Sequence, residues 1–155
     1  MLAGLRDYRA IHPATAFTAQ QDLWEVLGSS TRITWIVGWV IGQGTELGDA
    51  AEEKILLQWI SGHTTSGNGT ARTPAPNGAD AAFGGTVESG GTTIASGGTA
   101  VTQWEDYWDV RQGEKWILDP KNWLLVPAGA RWVLRVAAPT DSVTASSTLI
   151  LAEAG

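Results

Sequence analysis

Seven residues, "QWEDYWD" at 103–109, hold the densest set of side chains suited to chemistry: Glu105, Asp106 and Asp109 among Trp104, Tyr107 and Trp108. Paired carboxylates beside aromatic rings suit a glycosidase or a sugar-binding platform. Glu105 and Asp109 share one face of a strand but stand roughly 13 Å apart along it. That exceeds both carboxyl separations used by glycosidases unless the strand bends. The segment therefore reads as a rim strand with packed aromatics and solvated acids. Trp104, Tyr107 and Trp108 form the alternative, a glycan platform.

Other chemistry has little material. His12 lies beside Pro13 and His63 in a Gly/Thr stretch, and neither has a second His at ligand spacing. There is no Cys, hence no disulfide, thiolate nucleophile or Cys-based zinc site. His63, Ser66 and Asp80 can be drawn as a hydrolase triad, but Ser and Asp are too common here for that to be informative. "GQGTELG" and "SGNGT" lack the Gly-Lys-Ser/Thr ending of a phosphate loop. Glu46, Asp49, Glu52 and Glu53 are acidic neighbours without EF-hand spacing. The expectation is a protein without a catalytic site, metal or cofactor.

The elements that must position these side chains read as strands. The chain has 155 residues, enough for one domain with its own core. Only 17% of residues are charged and 19 are Gly, which excludes a helical bundle. The net charge of -6, with Arg residues scattered singly, argues against direct nucleic-acid binding. The N-terminus lacks the apolar core of a signal peptide and no window suits a membrane span, so the expected setting is soluble and cytosolic at synthesis.

Period-two patterning marks strands near 14–19, 22–27, 31–42, 54–61, 99–110, 130–137 and 142–153. "DAAEEKILLQWI" allows a helix capped by Asp49, but the run is short and "ISGHTTSG" stops it, so strand is favoured. Residues 1–13 read as an N-terminal arm. Residues 14–155 read as a single domain, interrupted by a Gly/Ser/Thr/Pro-rich excursion at 61–98 that is too long for a routine connector. Short strands with Gly- and Pro-rich turns indicate an antiparallel β-sandwich with jelly-roll connections.

One strand carries apolar residues on both sides. In "TRITWIVGWVIGQG", regular alternation puts Ile33, Trp35, Val37, Trp39 and Ile41 on one face and Ile36 and Val40 on the other. A sandwich dries only one face of each strand, so the second face requires a cover. A second subunit is the favoured cover, with Trp35, Trp39, Ile36, Val40 and Trp59 as candidate interface residues. Nine Trp against two Phe and two Tyr fits the same expectation, because Trp favours places with one apolar and one polar end.

From "AQQDLWEV" through "IGQGTELGDAAEE", "HTTSGNGTARTPAP" and "PAGARWVLRVAAPTDSVTASSTLILAEAG", the sequence resembles small proteins encoded among the head genes of tailed bacteriophages. The resemblance spans about residues 19–155. It implies the class of capsid decoration (cement) proteins, which are all-β, often trimeric, and sit on the outer shell. The implied partners are further copies of the chain and the major capsid protein. The implied location is the virion's outer capsid surface after synthesis in the host cytoplasm. The Trp load at Trp35, Trp39 and Trp59, and the "MLAGLRDYRAIHP" arm, depart from that pattern. A tail or adsorption protein that binds a host glycan is the alternative; a minor enzyme is a third class.

Overall fold

The computed structural model describes residues 4–44, 54–78 and 81–155. The described residues form an all-β sandwich. Its strands are β1 (Leu5–Phe17), β2 (Gln21–Leu27), β3 (Thr34–Gln43), β4 (Lys54–His63), β5 (Thr70–Arg72) and β6 (Ala75–Pro76). They continue with β7 (Thr86–Gly91), β8 (Val101–Asp109), β9 (Glu114–Ile117), β10 (Leu124–Val126), β11 (Arg131–Val136) and β12 (Val143–Ala154). The longer strands are β-branched and aromatic, as a pleated, half-buried surface favours. One 3₁₀ turn, Pro120–Asn122, links β9 to β10; Asp119 Oδ1 accepts the Lys121 amide at 3.2 Å and caps it.

All pairings are antiparallel. Sheet A runs β10-β3-β12-β1-β6, with β9 also pairing β3 beyond β10. Sheet B runs β5-β7-β2-β11-β4-β8. Inward side chains of both sheets form one core that includes Tyr8, Trp24, Ile36, Trp39, Trp59, Trp108, Leu134 and Leu149. Trp39 lies between the sheets, with ring centroids 5.5 Å from Trp59, 4.6 Å from Trp104 and 5.8 Å from Trp116. A buried Trp removes 150–250 Å² from water, so each stabilises the fold by roughly 4–6 kcal/mol before entropy is counted. Trp24 Nε1 donates to Ser147 Oγ at 2.9 Å, joining the sheets by a satisfied polar contact.

Residues 5–13 of the stretch expected as an arm belong to a sheet. Residues 5–17 form β1, paired with β12 along its length and with β6 on its other side. Tyr8, Ala10 and His12 point into the sandwich and are buried. The polar residues Arg6, Asp7 and Arg9 hide this period two in the sequence, because within residues 5–13 only Tyr8 is a large aromatic on the inward side.

The described residues of the 61–98 excursion lie on the sandwich. Gly62 lets the chain turn away, with φ of 89° and a position for Cβ only 2.0 Å from the Thr99 carbonyl oxygen, which no other residue tolerates. The excursion adds β5 and β7 to the edge of sheet B beside β2, and β6 to the edge of sheet A beside β1. The edges of β1 and β2 are thereby paired, and the short β6 and β5 become the sheet ends. Residues 54–63 of the ambiguous "DAAEEKILLQWI" region are strand, while 49–53 lie outside the described residues.

Candidate functional site

A bulge in β3 decides which residues can meet a partner. Leu151 pairs with Ile36 and Ile150 with Gly38, so Val37 is an extra residue against β12. The extra residue reverses the alternation. Ile36, Trp39 and Ile41 consequently all face the core, whereas Trp35, Val37 and Val40 are half-buried on the outside. Gly38 allows β9 to approach here: a Cβ would lie 2.4 Å from the Trp116 carbonyl oxygen.

The five expected interface residues therefore separate. Ile36, Trp39 and Trp59 are 0% exposed and spent within the chain, so they offer nothing to a second subunit. Trp35 and Val40 stay on the outer face of sheet A. Trp35 is partly covered by the chain itself: the 118–123 segment crosses beside it, placing Trp123 edge-to-face at 6.4 Å. Trp123 Nε1 donates to the Leu118 carbonyl at 3.1 Å and Leu118 N to the Val37 carbonyl at 2.9 Å, fixing that segment to β3.

Beyond this cover the outer face of sheet A is apolar and open. Register places Leu5, Asp7, Arg9 and Ile11 of β1 beside Ala154, Ala152, Ile150 and Thr148 of β12, all outward. Leu125 and Ile117 lie outward on the β3 edge, opposite Trp35 and Gly38. Ile11 is 67% exposed, Ile33 51%, and Ile117 and Leu125 48% each. Two shallow hollows follow the face, one lined by Leu5, Val37, Trp123 and Ile150, the other by Ile11, Val40 and Thr148. Sequence reading singled out Trp35 and Val40 but not Ile33, and it missed Ile11, Ile117 and Leu125, whose strands are short or masked by charged alternates.

Sheet B is treated differently. The β2–β11 part of its outer face is covered by the excursion, through polar anchors and a small second core of Ile60, Ala95 and Val133. Asp22 accepts from Arg135 Nε at 2.7 Å and Nη2 at 3.2 Å, and from the Ala95 amide at 2.6 Å. Glu25 pairs with Arg131 and accepts from Ser66 Oγ at 2.6 Å and the Gly67 amide at 3.1 Å. Both ion pairs are largely buried, and these further hydrogen bonds are what such pairs need to offset desolvation.

The "QWEDYWD" strand does not make a glycan platform of Trp104, Tyr107 and Trp108. Trp108 is 0% exposed and its Nε1 donates to the Gln112 carbonyl at 2.8 Å. Trp104 turns inward against Trp39 and Trp116. Tyr107 alone of the three projects outward, with Glu105 held by Gln58 Nε2 at 3.0 Å. Asp106 points back to accept Trp116 Nε1 at 3.2 Å, which separates it from Glu105 on the opposite side of the strand.

His12 Nδ1 lies 2.9 Å from Ser89 Oγ, which also accepts from Arg72 Nε at 2.7 Å. Both His12 and Ser89 are buried. Enclosure, with the Arg72 charge nearby, lowers the His12 pKa to about 4, so the ring is neutral. The pair is a packed contact between β1 and β7. His63 is on β4 and Ser66 is committed to Glu25; Asp80 lies outside the described residues.

A third buried carboxylate, Glu153, pins the middle of the excursion. It accepts the Gly84 amide at 3.0 Å and pairs with Arg32 at 3.3 Å. Nearby, Tyr8 donates its hydroxyl to the Ala81 carbonyl at 2.9 Å. Burial, reinforced by the Glu153 charge, raises the Tyr8 pKa. Among the described residues no group of three or more His, Cys, Asp or Glu side chains is placed to hold a metal. Compared with protein-family models, curated proteins and solved structures, the chain matches none of them.

Proposed function

We propose that this chain is a non-catalytic structural protein of a tailed-phage head, a decoration protein that self-associates, binds the major capsid protein on the outer shell and stabilises it. The fold reading that accompanies this is a jelly roll. It is supported by the pairing order: β1 with β12, β2 with β11, β3 with β9 and β10, and β4 with β8. Partners are drawn from both chain ends inward, as in a long hairpin rolled up on itself.

The observation that carries a binding role is the unequal treatment of the two outer faces. The excursion and buried ion pairs cover the β2–β11 part of sheet B, leaving Tyr107 exposed at its β8 end, whereas Ile11, Ile33, Ile117 and Leu125 are all exposed on sheet A. Apolar surface gathered on one face favours association. The phage-head assignment and the trimeric state come from the resemblance.

An oligomer on a shell joins several capsid subunits at once, so individually weak contacts act together through effective concentration. Binding to the assembled shell alone shifts its equilibrium toward assembly. Salt weakens attachment modestly, because charges are few and scattered.

The test mixes purified protein with expanded heads lacking it, reading occupancy by cryo-electron microscopy and head melting temperature by calorimetry. Specific occupancy with raised melting temperature is expected. No capsid binding, or a tail-tip location in native virions, rejects the proposal.

A further inference from the structure

We propose that the hollow between β1 and the 118–123 segment, on the outer face of sheet A, binds a pyranose ring of a saccharide. The proposal goes beyond the capsid reading and does not depend on it. The hollow has a volume of about 350 Å³, at the small end of the range of ligand sites. Its floor is aliphatic, made by Leu5, Val37 and Ile150. Pro120 and Trp123 line it from the 118–123 segment, Asp7 and Arg9 from β1, and Asn77 from just after β6.

The aromatic wall is held in place. Trp123 Nε1 is spent on the Leu118 carbonyl at 3.1 Å, and the ring meets Trp35 edge-to-face at 6.4 Å. The indole therefore has no donor left and offers apolar surface alone. The β1 side is opposite in kind. Asp7 and Arg9 are outward residues two apart on one strand, spaced about 6.8 Å along it. Among the described residues neither the Asp7 carboxylate nor the Arg9 guanidinium has a hydrogen-bond or ion-pair partner. Asn77 is fixed beside them, because its backbone amide donates to the Asp7 carbonyl at 2.8 Å. An acceptor, a fork of donors and a side-chain amide thus stand across an aliphatic floor from an apolar wall.

That division selects the ligand. A pyranose carries C–H groups on its ring faces and hydroxyls along its edge. The faces suit Trp123 and Ile150, and each hydroxyl donates to a carboxylate or accepts from a guanidinium. Hydrogen bonds to charged groups are the stronger kind, which suits a small site. A free α-amino acid carries both charges on one carbon, closer together than the strand spaces Asp7 and Arg9. A purely aliphatic ligand would take water from both charges and return no hydrogen bond. The exposed Ile117 and Leu125 lie beyond the segment, on β9 and β10, so the hollow and that apolar edge are separate surfaces.

Titration of the isotope-labelled protein with the methyl α-pyranosides of glucose, galactose and mannose, followed by NMR, tests this. The Trp123 indole and Asn77 side-chain amide signals should move saturably for at least one pyranoside, with a dissociation constant in the millimolar range. Asp7→Ala and Arg9→Ala should each weaken that binding about tenfold, with the far-UV circular dichroism unchanged. Should either variant lose the sandwich spectrum, Asp7→Asn or Arg9→Gln takes its place, with weakening in the same direction. No signal change with any of the three pyranosides, or binding that both variants leave intact, overturns the assignment. L-Alanine is the control: shifts from it without shifts from the pyranosides make the hollow a zwitterion site and likewise overturn it. If the pyranosides are silent and the variants instead lower the sedimenting mass, the hollow belongs to a subunit contact; the saccharide assignment then fails while self-association stands. Saccharide binding by a protein that ignores expanded heads has the converse meaning: this inference holds and the capsid reading fails.

Discussion

Trp35 and Trp39 are four residues apart on one strand and face opposite sides of sheet A. Trp39 is enclosed between the sheets, while Trp35 is half-buried outside against Trp123. In a regular strand they would share a face. The bulged Val37 separates them.

The two tryptophans should therefore answer differently to truncation. Trp39→Ala removes a ring packed against three other indoles and should cost about 3–5 kcal/mol of stability. Trp35→Ala should cost much less in the fold and act on association. Urea unfolding with sedimentation equilibrium checks this; equal losses in both variants would contradict the assignment of faces.

Gly38 should resist even the smallest side chain. A methyl group there meets the Trp116 carbonyl and must push β9 away. Gly38→Ala is expected to destabilise by about 1–3 kcal/mol, as overpacking does. Trp fluorescence should shift too, because Trp116 moves with β9. A thermal midpoint equal to wild type would show that β9 yields freely.

Acid should loosen the fold partly through His12. Its folded pKa of about 4 lies below the ordinary 6.5, so the unfolded chain binds more protons between those values. Stability contributed by the neutral ring is complete above about pH 6.5 and is lost as pH falls toward 4, with an upper bound of about 3 kcal/mol. His12→Gln should flatten the slope of stability against pH across that window, so that the wild-type-minus-variant difference falls as pH drops from 6.5 to 4. An unchanged slope between pH 4 and 6.5 would show that His12 does not titrate there.

Deleting residues 1–12 should abolish folding rather than trim a capsid clamp. The deletion removes most of β1 and with it Tyr8, Ala10 and His12 from the core. Far-UV circular dichroism of the truncated chain is expected to show loss of the sandwich. A folded truncation would return these residues to the role of an arm.

Asp22→Ala should cost about 3–5 kcal/mol, because it leaves the Arg135 charge buried without its carboxylate. It also frees the Ala95 amide that holds the 92–98 loop. Asp22→Ala with Arg135→Met should recover part of that loss, since both charges are then gone. Urea midpoints of the three variants decide it, and a double variant no better than the single would deny the coupling.

The sequence by itself determined the class of structure. Period-two runs of β-branched and aromatic residues at 22–27, 54–61, 99–110, 130–137 and 142–153 are strands, because alternation on a pleat is a local property of the backbone. It also determined that one strand, β3, had more apolar surface than a sandwich interior could use. Which residues supplied that surface was decided only by tertiary structure. A single bulged residue in β3 exchanges faces for everything beyond it, and a bulge arises from how β12 and β9 pair with β3 across more than seventy positions of sequence. The same holds for β1, whose inward Tyr8, Ala10 and His12 acquire meaning from β12 and β7. It holds also for the excursion, whose Ser66, Gly67 and Ala95 find Glu25 and Asp22 only once β2 and β11 are side by side. Alternation is written along the chain; the partner that gives each face its neighbour is not.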